Sequence, residues 1–208
     1  MAIEFVCDPC NNPLQSISNE KCGAPKFGNQ IVKFFLQKQT GADFDGTLNN
    51  DIEEEADWQS RLAADDDDRI VVIPNLASTE RPSADPNLEE GNDVPYGGSE
   101  IIDRPQSITG AMKYLNQEDF ALVRKINCWD QVRLWFLDNN NWLWAFATTG
   151  EGIPGISVVT GTYQQMGIGT SNRTPITLSW NNICEPVPVA QLSFLRNIEG
   201  SNESGSIL

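Results

Sequence analysis

The groups in this chain best suited to chemistry are five cysteines and a run of carboxylates. Cys7 and Cys10 form a Cys-x-x-Cys, with Cys22 nearby and Cys128 and Cys184 far along the sequence. A structural zinc site needs four tetrahedral ligands, most often Cys and His. With no histidine in 208 residues, Cys128 or Cys184 would have to complete the set. One Cys-x-x-Cys with scattered partners is a weak metal signature, and the Asp-Pro between its cysteines argues against a redox pair. The opening MAIEFVCDPC lacks a basic stretch followed by an apolar one, so no export signal is read. An odd number of cysteines in a reducing compartment is expected to stay as free thiols. No metal or other cofactor is expected.

The carboxylates offer two further chemistries, and both fit poorly. Asp43-Phe-Asp45-Gly46 hints at a calcium loop, but Gly46 at its sixth position would put Gly41 and Ile52 at positions that need side-chain oxygens. A general acid and base pair needs one carboxyl in an apolar pocket with a raised pKa. The contiguous Asp65 to Asp68 reads instead as a solvated face. A serine nucleophile would lack its histidine base, and no GxSxG, P-loop or GxGxxG occurs. The chain is not expected to be an enzyme.

Net charge narrows the function further. Between Asp43 and Asp68 there are eleven acidic residues and one base, Arg61, so this segment supplies −10 of the −15 total. Gripping a phosphate backbone requires clustered Lys and Arg, and the fourteen present are scattered. An acidic wall is useful beside DNA where the DNA must slide past without binding. Hydrophobic content of 39% with six Trp and nine Phe indicates a globular chain. No run approaches the roughly 18 apolar residues of a membrane span.

The elements that must position these groups are mostly strands. Residues 1–29 read as an extended N-terminal arm, 30–182 as a β-rich core domain, and 183–208 as a C-terminal extension. Strand formers cluster at 30–37, 69–73, 101–114, 132–137, 142–147, 155–163 and 174–180. Helical spacing of Ile52, Ala56, Gln59, Leu62 and Ala63 predicts a helix over 51–64, capped by Asn49 or Asn50. A second helix is expected from Asn116 to about Asn127. Residues 78–99 are rich in Pro, Asp, Asn, Glu and Gly and read as a long irregular loop. DNNN at 138–141, flanked by strand formers, reads as a hairpin turn. The expected fold is a single-domain β-sandwich or partly closed barrel with one or two short helices and long loops at 41–68 and 78–100.

Loose sequence motifs carry a family resemblance. They begin with Cys10-Asn-Asn-Pro13-Leu14, Cys22, and Gly28-Asn-Gln30-Ile31-x-Lys33 followed by Gln37. Next come Asp68-Arg-Ile70-Val-Val-Ile-Pro74, Glu90-Gly91 and Tyr96-Gly97-Gly98. Cys128, Gly152-Ile153-Pro154 and Thr177-Leu178-Ser179-Trp180 complete the order. In these features the chain resembles tail-tube-like structural proteins of phages infecting Bacteroidetes hosts, over about residues 7–182. The ending from Glu185 onward departs from that pattern and would suit a tail-ring or adaptor role at the head–tail junction.

The resemblance implies a virion protein, assembled in the host cytoplasm into rings of its own copies beside other tail or portal-proximal proteins. DNA would pass through the ring without being specifically bound. Asp51, Glu53, Glu54, Glu55, Asp65, Asp66, Asp67 and Asp68 are the candidates to face the lumen or solvent. Trp135, Trp142, Trp144 and Tyr96 are the candidates for subunit contacts. Alternatives from other classes are a capsid-associated decoration or head-fibre anchor protein, a carbohydrate-binding module using the hairpin aromatics, and a small metal-binding domain built on the cysteines.

Overall fold

A computed structural model describes residue 28 and residues 30–47, 50–74, 76–80, 87–90, 99–113, 121, 125–129, 131–165, 172–181 and 185–198. The strands in chain order are β1 (Ile31–Lys38), β2 (Ile70–Ile73), β3 (Leu76–Glu80), β4 (Asn87–Glu90), β5 (Ser99–Asp103) and β6 (Pro105–Lys113). They continue with β7 (Val132–Asp138), β8 (Trp142–Ala145), β9 (Ile153–Thr160), β10 (Arg173–Asn181) and β11 (Val187–Gln191). One helix, α1 (Glu55–Leu62), and a 3-10 helix, Ser193–Arg196, accompany them. The fold is mostly β, as the sequence indicates.

All the pairing is antiparallel, and β7 is its hub. One edge of β7 pairs with β1 along its length, and β2 adds outside β1. The other edge is divided: Phe136 and Leu137 pair with β8, whereas Val132 and Leu134 pair with β9. From β8 the sheet extends to β11, and from β9 to β10, β6 and β3. The ladder does not close. Its ends β2 and β3 are successive stretches of chain with Pro74 between them, and proline can offer no ladder N–H. β3 nonetheless comes close to β1, so the sheet curls back over itself.

Alternation along the strands produces two cores. Phe34 and Leu36 of β1, Val132, Leu134 and Phe136 of β7, Ile108 and Met112 of β6, and Ile176, Leu178 and Trp180 of β10 fill the first, inside the curl. Phe35, Trp135 and Leu137 point the opposite way, and with Ile70, Val72, Leu143 and Ala145 they form the second. Phe44, Ile52, Trp58 and Leu62, with Leu192, Leu195 and Ile198, cover that second face. The molecule therefore has three layers, with α1 and the 3-10 helix outermost on one side and β6, β9 and β10 outermost on the other.

Three expectations are corrected. The helix is shorter than 51–64, its N-cap is Glu54, and its buried face is Trp58, Arg61 and Leu62; Ala56 and Gln59 are exposed. The apolar count at helical spacing missed that face because one of its three residues is an arginine. The span 78–100 is not wholly irregular: β3 runs to Glu80, β4 follows, and β5 begins at Ser99. Residues 185–198 are not an extension from the domain, since β11 pairs with β8 and Leu192, Leu195 and Ile198 are buried. The hairpin is as expected, with Asn141 at φ 67 closing its turn, a conformation Asn tolerates better than most residues. The second helix lies largely outside the described residues, although Ala121, Lys125 and Ile126 are helical.

Candidate assembly surfaces

The acidic segment is held to the second core by its single base. Arg61 is only 8% exposed. Its guanidinium donates to the carbonyls of Ala42 and Asp43 and to Oδ1 of Asn50, and it lies 4.1 Å from the centre of the Phe44 ring. Five fixed donors in a plane suit this task; an ammonium group does not present them. Beneath it, Phe44 and Trp58 pack at 4.9 Å between ring centres, Phe35 meets Trp58 edge-on, and Trp58 donates its indole N–H to the carbonyl of Ile52 at 2.8 Å. Burying an aromatic side chain of this kind contributes about 1.5–3 kcal/mol.

Several acidic groups are committed internally. Asp43 accepts from the backbone N–H of Gly152 at 2.9 Å and pairs with Nε of Arg133 at 3.1 Å. Burial pushes its carboxyl pKa up, while those two partners pull it down. Asp67 accepts from the ammonium of Lys38 and, at 2.6 Å, from the hydroxyl of Thr40; the Lys38 contact chiefly holds its pKa below the usual value. Asp68 accepts from the N–H of Ala42 at 2.5 Å. Oδ1 of Asp51 caps the N–H of Glu53, and Asp57 accepts from the N–H of Asp51. Asp67 and Asp68 thus tie the end of the segment to its beginning. The exposed acidic residues are Asp45, Glu53, Glu54, Glu55, Asp65 and Asp66.

β4 and β5 form a separate two-stranded ribbon, joined at Asn87 by its side-chain bond to Asp103. It pairs with no other strand among the described residues. Leu88 on β4 is 45% exposed. The other exposed large apolar residues among those described are Val159 and Tyr163, at and just after β9. Tyr96 lies outside the described residues.

The three tryptophans expected at contacts sit elsewhere or partly inward. Trp135 has no exposed surface and donates to the carbonyl of Gly150 at 2.8 Å, so it cannot meet a neighbour. Its ring fills the space a side chain on Gly152 would need: a Cβ there would stand 2.6 Å from it. Trp144 is half-buried and stacks on Phe136 at 5.7 Å with planes 10° apart, so the face a sugar would use is already covered on one side. Trp142 is also half-buried. Cys128 is exposed; Cys7, Cys10, Cys22 and Cys184 lie outside the described residues. Among the described residues no group of His, Cys, Asp or Glu is placed to hold a metal, and no helix is long and apolar enough to cross a membrane.

Two anchoring groups were not apparent in the sequence. Lys33 lies at an inward-looking strand position that reads as an edge polar residue, and Asp138 looks like ordinary turn chemistry. In the fold Lys33 is buried against three carbonyls. Asp138 accepts from the N–H groups of Gly28, Asn140 and Trp142. The only signal for Arg61 was its isolation in an acidic run.

No family model matches the chain, and no curated protein matches it. Among solved structures it is similar to a chain from the tail of an empty GTA particle with C6 symmetry, at 12% identity and a TM-score of 0.38. That likeness covers 59% of this chain and 87% of the other. At such a score it carries no argument about fold or function.

Proposed function

We propose that this chain is a phage virion structural protein, a tail-tube-like or tail-ring subunit that assembles with its own copies around a channel that conducts DNA. The observation that carries the reading is the β4–β5 ribbon. Among the described residues the ribbon pairs with no third strand, and a two-stranded ribbon by itself is at best marginally stable in water. A neighbouring subunit would supply the missing support, beginning at the exposed Leu88. The mostly β domain and the family resemblance in its motifs support the same reading. The chain's net charge of −15 suits a ring that DNA passes without sticking.

The test is to join β3 to β6 with a short Gly-Ser turn in place of residues 81–104. Particle mass and negative-stain images of both proteins are then compared. The full chain is expected to give rings with an open centre, and the shortened chain a folded monomer. Rings from the shortened chain would remove the ribbon from the contact. A full chain that stays monomeric or trimeric at all concentrations would move the weight to a capsid decoration or head-fibre role.

A further inference from the structure

We infer that the outer face of β6, β9 and β10 receives the acidic 41–68 segment of a second copy of this chain. The inference rests on the assembly reading above and names a contact that assembly would use. It begins from charge. The sequences of these three strands, PQSITGAMK, IPGISVVT and RTPITLSWN, contain no carboxylate, in a chain with 29.

Register shows what the face presents. Ser157, Ser179 and Ser107 lie in one row across the three strands, and Val159, Thr177 and Thr109 lie in the next. Pro175 pairs with Ala111, and beyond them Arg173 pairs with Lys113. Short side chains make this surface flat, and among the described residues no strand or helix lies over it. Of the three exposed large apolar residues among those described, Val159 is on this face and Tyr163 follows at its edge. Ser107, Ser157 and Ser179 line an open groove there.

Arg173 and Lys113 explain which part of a second copy fits. Like charges directly opposite on paired strands destabilise a sheet, yet among the described residues neither has an ion-pair partner. At the far end Asp103 and Glu185 are engaged by Asn181 and Arg104. A neighbour's Glu53, Glu54, Glu55, Asp65 and Asp66 would satisfy the basic pair. The donor and acceptor surfaces lie on opposite sides of the three-layer molecule, so the contact is head-to-tail. Such contacts build rings or filaments, whereas a twofold dimer would need one self-complementary surface.

The experiment compares the full chain, K113E/R173E, E53K/D65K and the four-fold combination by sedimentation velocity at low and high salt, with circular dichroism as the check on folding. Each double variant is expected to need at least tenfold more protein to assemble, and the combination to recover the behaviour of the unaltered chain. The two double variants alter opposite surfaces, so misfolding of one leaves the other as the test. If both double variants assemble normally while the ribbon-shortened chain does not, this contact is overturned and the tail-subunit reading stands. If the unaltered chain never assembles, both fall. Saturation at a dimer, or assembly only when duplex DNA is added, also overturns the contact.

Discussion

The Nζ of Lys33 lies 2.6 Å from the carbonyl oxygen of Ile198, and the same ammonium reaches the carbonyls of Leu195 and Arg196. One buried cation on the first strand thereby caps the 3-10 helix near the other end of the chain. Hydrogen bonds to a charged group contribute about 1.5–3 kcal/mol. Lys33→Met should lower stability by about that amount, measured by denaturant unfolding. It should also expose residues 192–198 to protease before the rest of the domain. Uniform loss of protection would show that Lys33 has no special hold on this segment.

Arg61 should behave as a geometric requirement as well as a charge. Arg61→Lys keeps the charge but loses the planar fork that meets Ala42, Asp43 and Asn50. It is expected to cost about 1.5–3 kcal/mol, nearly as much as Arg61→Met. A lysine variant as stable as the parent in thermal melts would refute this.

Gly152 is expected to be intolerant for reasons of space. A methyl there would overlap the Trp135 ring, and overpacking of this kind costs about 1–3 kcal/mol. Gly152→Ala should shift the near-ultraviolet circular dichroism of Trp135 as well as the melting temperature. Gly155, whose Cβ would meet nothing within 4 Å, has no such clash, although its φ of 68 still disfavours a side chain.

Asp67 gives a pH dependence of defined sign. Its pKa is lowered in the fold, first by the Lys38 side chain and then by Thr40. The folded state binds this proton less readily than the unfolded chain. The stability it contributes is therefore complete above the ordinary carboxylate pKa and is lost as pH falls through the lowered one. Asp67→Asn should melt below the parent at neutral pH, and the gap should close on acidification and shrink with added salt. Asp43 has the opposite sign, because burial raises its pKa; its contribution is present in acid and lost as pH rises through the raised value.

Most strands were legible because β8 and β10 alternate in burial while β1, β2 and β7 are short runs of strand formers buried on both faces. β1, β2, β7, β8 and β10 were placed within a residue or two. The helix boundary and its buried face were not legible, since the residue that decides them, Arg61, is polar and finds its acceptors in a loop brought near only by folding. β4 was obscured by turn-forming residues, and β11 by Pro188, which an edge strand can accept. The acidic run illustrates a further limit. Eight candidates look equivalent in sequence, yet Asp67 and Asp68 are bonded to residues 38–42 while Asp65 and Asp66 remain exposed. Neutralising all four would mix a structural lesion at Asp67 and Asp68 with any effect on assembly, so Asp65→Asn with Asp66→Asn is the cleaner variant.

The burial of β1 on both faces has a consequence for synthesis on the ribosome. Its first face needs β7, and its second is finished by Leu192, Leu195 and Ile198, with Lys33 waiting for the same segment. Until residue 198 has emerged from the exit tunnel, the nascent chain carries an apolar sheet with one side open and a lysine beneath it lacking its carbonyls. Contacts so distant in sequence form late. A stalled or prematurely terminated chain would therefore be the aggregation-prone species, and completion of translation would be the step that commits the subunit to its folded form.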